Sequence, residues 1–493
     1  MNNIRFPLSS VNRCLLWAWL TAGVVAASGC AQIPDLGPAP QLKAAGQLAT
    51  VKSFSAPFAH WPGDHWWESF GDTQLNELIE EALRGSPDLA LAQARLRKAG
   101  AAVQGAGAPL LPQVSANAAF TQEKQSYNAL MPRSAVPQGW NDYGQATLDL
   151  TWELDFWGKN RAALAAAIST QQAAQAELAQ TRLVLSTSIA SAYAELAHLF
   201  TVLDTAEATL SISTKTVELF QQRHQQGLEN LASLKQVEAR QSAAQAALLL
   251  AKERVALQRN AIAALLGAGP DRGLAITRPT ARLTDPKGLP ANLALELIGR
   301  RPDIVAARRL TEAAAKRIDQ QKAGFYPSVN LVAFAGYQSL GIDNLTKSGS
   351  DIGAVGPAIS LPIFNTARLQ GQLRGARADY DAAVASYNGT LSEALREVAD
   401  AVTSRKALAG EIAASRAAVA AAEEAHRLVS KRYQGKLATY LDVLSAEDEL
   451  ISAKRALADM TSRALVLNVA LVRALGGGYQ APGNPTPTSG TPE

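Results

Sequence analysis

The chain contains one large unit twice, and each copy holds a run of helix-forming residues longer than most whole domains. Gly85-Ser86-Pro87-Asp88-Leu89 returns as Arg300-Arg301-Pro302-Asp303-Ile304, and Leu111-Pro112-Gln113-Val114 returns as Tyr326-Pro327-Ser328-Val329. Arg223-His224-Gln225 returns as Arg432-Tyr433-Gln434, and Leu265-Leu266-Gly267 as Ala474-Leu475-Gly476. Pro302 stands 215 residues after Pro87, whereas Gly476 stands 209 after Gly267, so the second copy has a loop about six residues shorter. A period of roughly 200 residues marks a duplicated domain, since solenoid repeats run at about 20–50.

From Lys159 to Gln226 neither Pro nor Gly interrupts a helical pattern. At about 1.5 Å per residue these roughly 68 residues span about 100 Å. The second copy has a similar run from Ala367 to Gln434, weakened only by Gly371, Gly375, Gly389 and Gly410. Each run ends in a short turn, Gln226-Gly227-Leu228-Glu229-Asn230 or Gln434-Gly435-Lys436-Leu437-Ala438. A returning helix of roughly 35–40 residues then ends at Gly267 or Gly476, glycine being the usual stop signal. Ala at the small positions and Leu, Val and Ile at 3.5–3.6 spacing suit a coiled-coil seam.

Two strands precede each long helix. In the first copy Val114, Ala116, Ala118 and Phe120 form an alternating set, and so do Ala146, Leu148, Leu150, Trp152 and Leu154. The other face of the second strand carries Gln145, Thr147, Asp149, Thr151 and Glu153. Strands of about ten residues, apolar on one face and polar on the other, suit a transmembrane barrel with a wet lumen. The second copy repeats the pair with Val329, Leu331, Ala333 and Ala335, then Val355, Pro357, Ile359 and Leu361. Phe325, Tyr326 and Tyr337 are expected near the strand ends as an aromatic girdle. Four strands cannot close around water, so the chain must oligomerise or leave edges unpaired in lipid.

Ahead of the strands, Thr73 to Gly105 reads as a helical pattern, stopped by Pro109 and Pro112. Trp61, Trp66, Trp67 and Phe70 read as a packing plug. At the N-terminus, Arg5 and Arg13 precede an apolar run from Cys14 to Ala27, and Ala27-Ser28-Gly29-Cys30 resembles a bacterial lipobox. The expected domains are a signal peptide over 1–29, a lipid-anchored linker over 30–59, a first repeat over 60–270, a connector over 271–290, a second repeat over 291–476 and a disordered tail over 477–493. Cys30 would carry S-diacylglycerol and an N-acyl chain, with no other cofactor. Ala31 after it favours sorting to the outer membrane. Cys14 leaves with the leader, so the mature chain has no intrachain disulfide. The formal charge of +4 includes those two leader arginines, too little to argue for nucleic acid. After the leader there is no run of 18 or more apolar residues, so membrane crossing falls to lipid or β-strands.

Strand pairs followed by very long helices, duplicated behind a lipobox, resemble the outer-membrane factors of bacterial tripartite efflux systems, the TolC/OprM/NodT type. The resemblance rests on Trp66-Trp67-Glu68-Ser69-Phe70 with Asp72 and Leu75, Ser86-Pro87-Asp88 and Trp152-Glu153-Leu154-Asp155-Phe156-Trp157-Gly158. It extends through Arg301-Pro302-Asp303-Ile304, Phe325-Tyr326-Pro327-Ser328 and Leu361-Pro362-Ile363-Phe364. It implies an α+β membrane protein, a homotrimer whose four strands per protomer make a twelve-stranded outer-membrane β-barrel, continued into a long periplasmic α-helical barrel. Implied partners are a periplasmic adaptor and an inner-membrane transporter of the RND or major-facilitator class. The implied function is passive conduction of drugs or other small molecules outward, gated at the periplasmic helix tips. By the match around Tyr433, Tyr440 and Leu441, Leu441 takes the apolar gate position. Ser445 stands where relatives often carry an acid, with Asp442 and Asp448 three residues to either side. Gly227, Leu228, Gly435, Lys436 and Leu437 are the implied adaptor-contacting turn residues.

Two other classes compete. No zinc-binding His pair, P-loop or nucleophile elbow is present, which argues against an enzyme. A non-conducting coiled-coil outer-membrane lipoprotein would explain the helices and Cys30 but not the alternating strand pairs. Met occurs only at positions 1, 131 and 460, so no Met-rich metal route is visible. The substrate itself is not legible.

Overall fold

A computed structural model describes residues 32–50, 52–54, 56–128, 132–280, 288–290 and 293–481. The leader, Cys30, residues 281–287 of the connector and residues 482–493 of the tail lie outside the described residues. In chain order the main elements are α1 (Thr73–Gly85), α2 (Pro87–Gly107), β1 (Gln113–Glu123), β2 (Asn141–Leu154), α3 (Lys159–Gln225) and α4 (Leu231–Leu265). The short α5 (Pro270–Leu274) leads to α6 (Leu293–Arg300), α7 (Pro302–Ala323), β3 (Ser328–Leu340), β4 (Asp351–Ser360), α8 (Thr366–Gln434) and α9 (Tyr440–Ala474). The second copy thus repeats the first element for element.

The helical pattern expected over 73–105 is two helices rather than one. Pro87 lacks an N–H and disfavours helical backbone in the residue before it, so Ser86 is extended (ψ 127°) and Pro87 opens a new helix. The same break separates α6 from α7 at Arg301 and Pro302.

Two compact units emerge, and each takes segments from both copies. One comprises Leu42–Leu96, Ala174–Ala307 and the chain from Tyr387 onward. Its first core packs Trp66, Trp67 and Phe70 with Leu75, Leu78, Ile79 and Ala82 of α1 against Ile189, Tyr193 and Leu196 of α3. Its second core repeats the plan with Leu293 and Leu297 of α6 against Leu391, Leu395 and Val398 of α8. Each fully buried Leu or Ile contributes about 1.5–3 kcal/mol, so these cores hold the mid-regions of the long helices firmly. One stretch of α3 is apolar enough to cross a membrane by composition, and it is half buried. It supplies Ile189, Tyr193 and Leu196 to this core, which explains its apolarity without lipid.

Asp72 caps α1 inside this unit. One carboxylate oxygen accepts from Leu75 N at 3.2 Å; the other accepts from Tyr193 Oη at 2.9 Å and Thr280 N at 2.7 Å. Burial works to raise its pKa, but the hydrogen bonds from Thr280, Tyr193 and Leu75 together outweigh it and hold the carboxyl below its ordinary value. In the second copy Arg301 does comparable work, donating to Asp303 and Glu397 at 2.6 Å each and to Ala474 O at 3.2 Å. Gly476 (φ 87°) lies so close that an added Cβ would sit 2.0 Å from Arg300 O, which fixes glycine there.

The other unit comprises the chain up to Gln41, Arg97–Ala173 and Arg308–Ser386. Its centre is one antiparallel sheet in the order β1-β2-β3-β4. The register places Leu150 opposite Val114 and Ala333, and Val355 opposite Ala333. All four alternating apolar sets therefore fall on one face, as their period of two requires. β1 is exposed along its whole length, and Val355 and Ile359 of β4 are exposed too. Leu361 lies just past the end of β4.

Pro357 sits in β4, which is an edge strand within the protomer. Gln338 N donates to Ser350 O, so even-numbered β4 positions pair with β3 and the Pro357 nitrogen faces the free edge. The girdle expectation holds in part. Tyr326 stacks on Trp157 with ring centroids 4.5 Å apart, and Trp157 Nε1 donates to Pro327 O. Tyr337 is exposed. Phe325 is not part of a girdle: it is buried against Leu369 and Leu373, because the turn ending α7 points it into the helix packing before the strand begins.

Candidate functional site

The two helix-hairpin turns obey one plan. Gly227 N donates to His224 O and Leu228 N to Arg223 O; Lys436 N donates to Tyr433 O and Leu437 N to Arg432 O. These pairs are the closing bonds of a Schellman stop, with the left-handed residue at Gly227 (φ 76°) and Lys436 (φ 59°). Gly435 therefore corresponds to Gln226 and is not the left-handed residue, contrary to what its glycine suggests. The returning helices then start on Asn230, whose Oδ1 accepts from Ser233 N at 2.8 Å, and on Thr439. In this register Leu228 and Leu437 are counterparts, and they stand 64% and 71% exposed.

Tyr440 joins the two hairpins. Its hydroxyl shares a 3.0 Å hydrogen bond with Thr216 Oγ1 of α3, and its ring packs against Val217, Phe220, Leu234 and Val237. Tyr433 stands 5.3 Å from it, centroid to centroid. A cleft beside Tyr440 is lined by Phe220, Arg240, Tyr433, Leu441 and Leu444. Leu441, one residue on, is 64% exposed.

Asp442, Ser445 and Asp448 are all exposed. Asp442 is committed to its own helix start: its carboxylate accepts from Thr439 N at 2.7 Å and Thr439 Oγ1 at 2.8 Å, closing a capping box. Those hydrogen bonds hold its pKa below the ordinary carboxylate value. It is therefore not a free acid of the kind a bare carboxylate ring would need. Asp448 faces Arg240 of α4 at 4.0 Å, an exposed pair worth about 0–1 kcal/mol. The neighbouring Glu447 is more enclosed, and burial pushes its carboxyl up. Sequence reasoning missed Thr216, Phe220 and Arg240. Thr216, Phe220 and Arg223 do recur at one-turn spacing, but nothing in that spacing names Tyr440 as their partner.

The model for the family described as outer membrane efflux protein matches residues 78–268 and again 293–477, most of the chain. The chain belongs to the outer membrane efflux protein family. It is 31% identical over 462 residues to the multidrug resistance outer membrane protein MdtP of Escherichia coli K12, covering 92% of this chain and 94% of that protein. It is 33% identical over 359 residues to the fusaric acid resistance protein FusA of Burkholderia cepacia, covering 71% and 67%. Among solved structures, the outer membrane protein VceC of Vibrio cholerae superposes with a TM-score of 0.80 at 48% identity, covering 85% of this chain and 100% of that one. The Campylobacter jejuni outer membrane channel CmeC shares the fold at 21% identity, with a TM-score of 0.82 over 92% of this chain and 96% of that one.

The protein is thus an outer-membrane efflux duct. Its four strands join those of two further copies in a twelve-stranded barrel, and its long helices continue as the periplasmic helical barrel. The non-conducting lipoprotein reading falls with this result.

The turn plan gives a direct test. Left-handed backbone costs a non-glycine residue about 1–2 kcal/mol; glycine gives back about 0.5–1 kcal/mol through its looser unfolded state. Lys436→Gly should hold or raise the melting midpoint followed by circular dichroism, and Gly227→Ala should lower it. Equal losses from both would show that the left-handed residue does not fix the turns.

Proposed function

We propose that this duct is the exit member of a tripartite pump, closed at rest by the α9 starts and opened when an adaptor engages the hairpin turns. The observation that carries the gate is Tyr440, which ties α9 to the α3–α4 hairpin through Thr216 while leaving Leu441 exposed beside it. A single neutral hydrogen bond contributes about 0.5–1.5 kcal/mol, so a partner protein can break it within ordinary binding energies. Three copies of Leu441 around the axis would form an apolar constriction, with Ser445 and Asp448 further along the helix. Asp442 keeps the first turn of α9 wound rather than lining a bare acidic ring.

Gly227, Leu228, Gly435, Lys436 and Leu437 are the proposed adaptor contacts. The two exposed leucines are the apolar anchors, six in the trimer, each on a turn whose backbone is already satisfied. An RND or major-facilitator transporter supplies the solute and the energy. The relatives named for multidrug and fusaric acid resistance support small organic cargo. Acylation of Cys30 would tether each protomer to the inner leaflet of the outer membrane; intact mass of the purified protein reads it directly.

Planar-bilayer recording tests the gate. Leu441→Ala and Tyr440→Phe should both raise the resting single-channel conductance. Unchanged conductance in both would remove the tip from the gate. Leu228→Asp with Leu437→Asp should abolish crosslinking to the cognate adaptor while the trimer stays folded; retained crosslinking would place the contact elsewhere.

A further inference from the structure

The four strands contain no Lys or Arg, yet β2 carries Asp149 in mid-strand on the polar face. Its neighbours across the sheet are Ser115 on β1 and Phe334 on β3. One carboxylate oxygen, Oδ2, accepts from Asn117 Nδ2 and Thr147 Oγ1, each at 2.8 Å. Both donors are neutral, so they orient the charge without cancelling it. Of the other acids on this face, Glu153 is answered by Lys159 at 3.0 Å and Glu123 lies at the loop end of β1. The basic residues of the β1–β2 loop, Lys124 and Arg133, are drawn over the Tyr127 ring.

The opposite face bears Val114, Leu148, Leu150, Val355 and Ile359 and belongs in lipid, which turns Asp149 to the lumen. Cyclic symmetry sets equivalent residues at one height. We infer that three Asp149 carboxylates ring the barrel lumen and make the outer-membrane section of the duct prefer cations over anions. A ring of fixed charge in a low-dielectric wall focuses its field across the pore. Its effect is independent of the helix tips. It reaches across the pore near 0.1 M salt, where the screening length is about 10 Å, and fades near 1 M, where it is about 3 Å.

The test is the reversal potential of single channels in a KCl gradient, for the wild type, Asp149→Asn and Asp149→Lys. Each is recorded alone and with Leu441→Ala. Asp149→Asn should lower the K⁺/Cl⁻ permeability ratio severalfold and Asp149→Lys should invert it, equally in both tip backgrounds and much less at 1 M KCl. Asn keeps the size and hydrogen bonds of the native side chain, so the first variant retains the fold. Open channels with wild-type reversal potentials in both variants would overturn the inference and leave the duct standing. Silence in the wild type and in Leu441→Ala alike would overturn the duct and the inference together.

Discussion

Everything in this protein depends on two unpaired strand edges. Within one protomer β1 and β4 each have a neighbour on one side only. In hydrocarbon every orphaned N–H or C=O costs several kcal/mol, so an open four-stranded sheet cannot reside there. Closure by further copies removes the edges, and it also dictates the rest. The apolar face must look outward, the polar face must enclose water, and whatever follows each strand must continue a ring. The long helices α3 and α8 start within a few residues of β2 and β4, so the ring of strands becomes a ring of helices.

Duplication makes that ring nearly sixfold from only three chains. The two copies agree where backbone geometry rules. Pro87 and Pro302 each open a helix, Gly267 and Gly476 each end one in left-handed backbone, and Leu228 and Leu437 each stand exposed after a Schellman stop. They differ where function can separate them. The first turn is closed by Gly227, the second by Lys436 at some cost in backbone energy. Only the second hairpin sends a tyrosine into its neighbour. In the proposed gate, this asymmetry makes the α9 start the movable element and the α3–α4 hairpin its support.

Much of this is legible in the sequence. Strict alternation through Ala146–Leu154 predicts both the strand and its face, because a slip of one residue would invert every side chain. Uninterrupted helical sequence predicts α3 to within a residue. What failed is instructive. Phe325 looks like a girdle residue by position, yet one turn of chain before the strand decides that it points into helix packing. The capping of α9 by Asp442 and Thr439 is not read from the sequence, although both residues stand at the helix start. The left-handed stop at Lys436 is not read either, because a lysine gives no local signal for that backbone. Pairings across hairpins, such as Tyr440 with Thr216, depend on how two long helices settle side by side, and residue spacing within either one does not encode that.

Edge closure can be measured directly. Within one protomer β1 and β4 are three strand spacings apart, about 14 Å, whereas a disulfide reaches about 7 Å between Cα atoms. Cysteines at Ser115 or Ala119 on β1, combined with cysteines at Ala354 or Ala358 on β4, can therefore bridge only between copies. Oxidation of the folded protein in membranes, with each single-cysteine variant as control, should carry at least one combination to a covalent trimer. A folded, inserted protein that stops at a dimer, or forms no bridge in any combination, would contradict the closed barrel on which this account rests.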